Sequence, residues 1–271
     1  MYSIGWFSTG RDEAARDLLT TAYEAIRHGT IKAEIAFVFC SRETGESPGS
    51  DAFMRLVESY RIPLVCFSYQ KFKAGIPRDE QATVGFPHWR LDYDREVMAG
   101  LKTFKPELCV LAGYMLIVGP EMCSRYTMIN LHPATPTGPT GTWQEVIWQL
   151  MAQKATETGV MMHLVTPQLD RGPVVSYCKF AVRGKPFDSY WHQLEGRDIE
   201  AIKQSEGENN ALFKLIREEG LKREFPLILS TIKAFSEGRV SVVQSRVLDA
   251  RGNAIKGYDL TREIDRQVKP A

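Results

Sequence analysis

Short apolar runs alternate with amphipathic stretches along most of the chain. Ser3 to Phe7, Ile35 to Cys40, Pro63 to Phe67 and Leu108 to Leu111 are apolar runs without polar alternation, the pattern of strands buried on both faces. Between them, Asp12 to Arg27, Asp51 to Tyr60 and Leu91 to Thr103 read as helices. A polar loop containing Gly75, Pro77, Gly85 and Pro87 precedes the last of these. Further strands are expected over Met128 to Leu131, Val160 to Val165 and Val174 to Val182. The polar stretch Gly184 to Asn210 reads as a loop or helical excursion. It leads into a long helical region, Asn209 to Ser236, and a strand, Val240 to Leu248, before the turn-prone Arg251-Gly252-Asn253. This β-α-β rhythm predicts an α/β fold whose sheet is largely parallel, covered by helices and joined by right-handed crossovers.

Composition narrows the function. At 271 residues the chain can bury a sizeable core, as one large domain or one domain with an appended piece. Lys+Arg 34 against Asp+Glu 33 leaves a net charge of +1, which argues against a nucleic-acid surface or a membrane anchor while allowing a local basic phosphate site. The longest apolar run, Cys109 to Val118, is too short to cross a bilayer, and Met1 to Gly5 offers no basic start for a signal peptide, so a cytoplasmic protein is expected. Cys40, Cys66, Cys109, Cys123 and Cys178 are dispersed, without a C-x-x-C pair, and read as reduced core thiols. His28, His88, His132, His163 and His192 lack metal-ligand spacing, and no metal is implied.

Two motifs carry candidate chemistry. Ile129-Asn130-Leu131-His132-Pro133 and Leu169-Asp170-Arg171-Gly172-Pro173 each follow a strand-like run, and together they supply an amide, an imidazole and a carboxylate. Those groups suffice to stabilise an oxyanion while moving one proton. Each has a plainer reading. Asn130 at a strand end is a common turn former, His132 before Pro133 fits a half-buried loop histidine, and Asp170 before Arg171-Gly172 is a natural turn residue.

Asn130-x-His132-Pro133, Leu169-Asp170-x-Gly172-Pro173 and the upstream Val110-Leu111-Ala112-Gly113-Tyr114-Met115, in that family's order, resemble the folate-dependent formyltransferases. The resemblance runs from Tyr2 to about Val182, with a looser echo near Phe225-Pro226-Leu227, and is strongest to the branch that formylates glycinamide ribonucleotide in purine synthesis. It implies a Rossmann-like, mostly parallel twisted sheet with helices on both faces, with residues 1–183 as the catalytic domain. Residues 184–271 would be a C-terminal extension of helix and strands packing on the same domain. It also implies 10-formyltetrahydrofolate as formyl donor and a small-molecule amine as acceptor, with glycinamide ribonucleotide foremost, and allows a homodimer. Asn130 would donate to the formyl oxygen as it becomes negative, a protonated His132 would add a charged donor, and Asp170 would keep His132 cationic and relay the amine proton through water. The donor's pterin would lie between Leu111, Tyr114, Met115, Leu116, Ile117 and Val118 on one side and Val165, Thr166, Pro167, Gln168, Leu169 and Asp170 on the other. Thr9, Gly10, Arg11, Gly113 and Pro133 match acceptor-binding positions. His163 also matches a family histidine and reads as a supporting residue hydrogen-bonded beneath the site.

The chain departs from the family in places that bear on the acceptor. Ser8-Thr9-Gly10-Arg11-Asp12-Glu13 stands where the family has a glycine-rich, phosphate-cradling turn. Its two carboxylates suit a helix start but compete with an anion. Arg11 either pairs with phosphate or is a solvated surface residue. Ala134 to Trp143, rich in proline and glycine, replaces Ser-Leu-Leu-Pro, and Trp143 either anchors a helix start or covers the folate. Leu116 replaces an arginine. Leu221 replaces an acceptor-binding glutamate, with Glu218 and Glu219 nearby. The alternatives are therefore a transferase acting on an amino sugar nucleotide or another amine, a formyltetrahydrofolate hydrolase (though the N-terminal regulatory domain that such enzymes carry is not expected here), and a non-catalytic folate or nucleotide sensor.

Overall fold

The structure is a computed structural model and describes residues 1–77, 87–168 and 170–268. It divides into two compact units: Met1–Asn130 with Leu164–Gly172, and Leu131–His163 with Pro173–Ala271. Gly85 of the polar loop and Leu169 lie outside the described residues.

The first unit holds strands β1 (Tyr2–Ser8), β2 (Ala33–Cys40), β3 (Leu64–Cys66) and β4 (Leu108–Leu111), and β5 (Met128–His132) begins in it. Their order is β5-β4-β1-β2-β3, and every neighbouring pair is parallel. The connecting helices are α1 (Glu13–Arg27), α2 (Pro48–Ser59), α3 (Tyr69–Ala74), α4 (His88–Gly100) and α5 (Pro120–Arg125). Helix α1 buries Ala15, Leu18, Leu19 and Ala22, one stripe at helical spacing, and is capped by the Asp12 carboxylate accepting from the Ala15 amide. The order reverses between β1 and β4, since β2 and β3 add on one side and β4 and β5 on the other. Such a reversal opens a crevice at the carboxyl ends of the strands.

The second unit contains α6 (Trp143–Ala152), β6 (Glu157–Leu164), β7 (Val174–Ala181), α7 (Asp188–His192), α8 (Ile199–Ser205), α9 (Ala211–Ser236), β8 (Val240–Val243), β9 (Arg246–Asp249), β10 (Tyr258–Asp259) and α10 (Thr261–Val268). Strands β6 and β7 are antiparallel, and β10 lies parallel to β7. The unit's core gathers Val146, Trp148, Phe180, Trp191 and Phe213. Across both units the strands are mostly parallel and alternate with helices, a Rossmann-type α/β arrangement.

Several boundaries differ from the sequence expectation for local reasons. Helix α2 starts at Pro48, because Ser47 caps it through the Ser50 amide and proline suits a first helical position. The single strand expected over Val240 to Leu248 is a hairpin. Gln244 and Ser245 both take positive φ and form its two-residue turn, without the Asn-Gly signature that announces one. Residues 184–210 form the short helices α7 and α8, and Asn210 caps α9 by accepting from the Phe213 amide.

Gly220 lies inside α9, and an added Cβ would meet nothing within 4 Å. Gly220→Ala is therefore expected to stabilise the protein by about 0.5–1 kcal/mol, raising the melting temperature by roughly 1–4 °C. An unchanged or lowered melting temperature would contradict this.

Candidate active site

Asn130 and His132 close β5. Asn130 is half-buried and stands in register with Leu111 of β4. Two residues on along the strand, His132 is only 2% exposed. Its Nε2 lies 3.1 Å from the Pro139 carbonyl. A carbonyl only accepts, so Nε2 carries a hydrogen. The proline- and glycine-rich loop after Pro133 thus has a structural role, because the turn closed by Gly138 N–H on Thr135 O leads Pro139 to the imidazole. His163 of β6 is buried in the same unit, its ring 6.4 Å from that of His132 and edge-on. Pro133 lines a small surface pocket together with Trp143, Thr158, Gly159, Arg217 and Gly220. Trp143 opens α6, packs against Phe213 and lies under the Arg217 guanidinium, so its ring is held by α9.

In the first unit, the loops after β1 and β4 meet at the order reversal. Thr9 N–H donates to the Gly113 carbonyl at 3.0 Å, and its hydroxyl accepts from Met115 N–H at 3.1 Å while lying 3.1 Å from the Ser41 hydroxyl. The Thr9 side chain is therefore turned inward and ties two loops together. Gly10 has φ +62°, and a Cβ there would fall 2.9 Å from the Phe53 ring, which fixes the residue as glycine. Arg11 is exposed and pairs with the adjacent Asp12.

Along the loop after β4, Gly113 has φ +71°. Tyr114 is buried against Phe7 and Phe39, and burial pushes its phenol well above the ordinary range. Leu116 is half-buried against the aromatic core and Val118 is buried. Met115 and Ile117 are 60% and 43% exposed. Two large apolar side chains presented to solvent from one short loop fit a wall for a flat apolar ligand.

The other expected wall starts at Val165, whose N–H donates to Met128 O and whose side chain packs on the same core. Pro167 and Gln168 are exposed, and Thr166 Oγ1 donates to Gln168 O. Arg171 N–H donates to Gln168 O, closing a turn in which half-buried Asp170 has φ +53°, a left-handed conformation that aspartate tolerates better than most residues.

The candidate groups are thus an amide and a buried imidazole on β5 and, on a tight turn, a carboxylate. Among the described residues no group of three or more His, Cys, Asp or Glu could hold a metal ion, and no helix is long and apolar enough to cross a membrane. The sequence pattern of a family described as formyl transferase matches residues 13–186, well over half of the 271 residues. The chain belongs to the formyl transferase family. Enzymes of this family use 10-formyltetrahydrofolate as formyl donor. The phosphoribosylglycinamide formyltransferase of Escherichia coli is 34% identical over 92 residues, 33% of this chain and 42% of that protein. The match thus spans less than half the length of that relative. Among solved structures, a phosphoribosylglycinamide formyltransferase from Coxiella burnetii aligns over 95% of this chain and 98% of its own, with TM-score 0.60 and 21% identity. A formyltetrahydrofolate deformylase from Burkholderia mallei aligns over 92% of this chain and 69% of its own, with TM-score 0.59 and 20% identity. At these identities the two structures share the formyl transferase fold.

Sequence reasoning missed Pro139, Ser41 and the buried pair Arg90 and Asp94. Pro139 and Ser41 act through a backbone carbonyl and a loop hydroxyl, which leave no spacing pattern. The charged pair on α4 reads as solvated until the fold buries it.

Proposed function

We propose that the chain transfers a formyl group from 10-formyltetrahydrofolate to a primary amine, with glycinamide ribonucleotide as the foremost acceptor. The observation that carries the reading is the family match over residues 13–186, which includes Asn130, His132 and Asp170 together with both loops expected to hold the donor. The Met115 and Ile117 side chains and the backbone of their loop supply the mixture of apolar surface and fixed polar groups that a pterin needs. In this mechanism Asn130 donates its amide hydrogen to the formyl oxygen as charge develops, worth several kcal/mol for comparable oxyanion donors. A protonated His132, held through Nε2, adds a charged donor. Asp170 supplies the carboxylate that takes the proton from the attacking amine and, as the donor's formyl C–N bond breaks, relays it through water to the departing folate nitrogen. Within this reading residues 1–183 form the catalytic domain and 184–271 its extension, which is supported by β10 returning to pair with β7.

Purified protein incubated with 10-formyltetrahydrofolate and a panel of amines, with tetrahydrofolate release followed, tests the proposal. Release dependent on glycinamide ribonucleotide is expected. Release dependent only on another amine would replace the acceptor, and release without any amine would replace transfer by hydrolysis.

A further inference from the structure

Helix α4 turns a charged pair into the core of the first unit. Arg90 and Asp94 stand one helical turn apart and are 5% and 1% exposed. Arg90 Nη2 donates to Asp94 Oδ1 at 2.9 Å. The other carboxylate oxygen accepts from Gly119 N–H at 2.6 Å, and the same Nη2 donates to the Ile117 carbonyl. One ion pair therefore grips a carbonyl and an amide two residues apart on the loop after β4. At the loop's other end Thr9 holds the Gly113 carbonyl and the Met115 amide. Between these anchors lie the exposed Met115 and Ile117 side chains.

Taking two charges out of water is costly, and a well-packed apolar pair of the same volume is often as stable or more so. Stability alone gives no reason for charges here. Burial in fact pushes the Asp94 carboxyl above its ordinary range, against the opposing pull of Arg90 and Gly119 N–H. A charged pair does provide directional bonds that fix particular backbone atoms, which apolar packing cannot do.

We propose that Asp94 is a positioning residue for the formyl donor: directly through Gly119 and through Arg90 at Ile117, it sets the shape of the loop that receives the folate ring. This rests on the donor-loop reading under Proposed function. Asp94 itself is buried behind the loop and acts only through it.

The test uses the full chain with Asp94→Asn, which keeps the shape and removes the charge, and with Arg90→Gln/Asp94→Asn, which leaves no unpaired buried charge and guards against loss of folding. Steady-state kinetics would be combined with titration of 10-formylfolate, a non-transferring analogue, by tryptophan fluorescence. In both variants the KM for donor and the dissociation constant of the analogue are expected to rise about tenfold or more, with the KM for the amine within about twofold of the parent. A structural role alone would not separate the two substrates in this way. A folded Asp94→Asn with the parent's donor KM, or with both KM values raised in parallel, would overturn the proposal. If the parent protein neither binds 10-formylfolate nor turns over 10-formyltetrahydrofolate, the donor-loop reading itself fails, and Asp94 loses its assigned role with it.

Discussion

Replacing His132 by alanine is expected to lower kcat by about 10²- to 10⁴-fold while the dissociation constant of the folate analogue changes little. The imidazole is buried and fixed by one ring nitrogen on the Pro139 carbonyl, so its orientation is set before substrate arrives. The variant removes the ring assigned the donor role under Proposed function and leaves that carbonyl without its partner, at a cost of about 1–3 kcal/mol in stability. His132→Gln separates the two effects, because its amide can still donate to the carbonyl but cannot carry a positive charge. It should fold like the parent and remain as slow as the alanine variant. Combined with Asn130→Ala, the loss should be smaller than the product of the single losses, since groups acting on one transition state are not additive. A kcat within about threefold of the parent in His132→Ala would end the catalytic assignment and favour a protein that only binds folate.

The second large effect is expected at Gly172. A Cβ built there would lie 1.8 Å from the Leu164 carbonyl oxygen and 2.8 Å from its carbon, both backbone atoms that no rotamer change can move. Gly172→Ala must therefore displace the turn carrying Asp170 or disrupt the end of β6. The expected result is a loss of roughly 1–3 kcal/mol in stability. In the protein that still folds, kcat/KM should drop about 100-fold, the effect of ångström-scale misplacement of a reacting group. Thermal unfolding and kcat/KM measured together check this. Asp170→Asn provides the comparison, since asparagine tolerates the left-handed backbone and removes only the charge. Parent-like stability and activity in Gly172→Ala would show that the loop adopts another path and would remove the argument for a fixed Asp170.

The buried strands were legible because each is an apolar run too short for a helix and bounded by polar or turn residues. Ser3 to Phe7 and Leu108 to Leu111 lie within β1 and β4 for this reason. Helix α1 was equally plain, since its capping aspartate and apolar stripe are both local in sequence. The hairpin of β8 and β9 was not legible, because its turn uses Gln244 and Ser245 in a conformation that neither residue announces. The two-residue β10 and helix α10 also escaped. The strand is too short to show a period, and pairing with β7, distant in sequence, defines it.

For the candidate site, residue type and order alone brought forward Asn130, His132, Asp170 and the two loops, because the chemistry of formyl transfer needs particular functional groups and these stand in motifs. What holds those groups belongs to tertiary structure. Thr9 turns its hydroxyl onto Met115, Pro139 meets His132 through a carbonyl, and Arg90 with Asp94 reaches two backbone groups more than twenty residues away. Backbone donors and acceptors are the same in every residue, so a sequence cannot say which of them will be matched. Only folding, by removing water from a charged pair or a hydroxyl, decides which backbone atom it must satisfy.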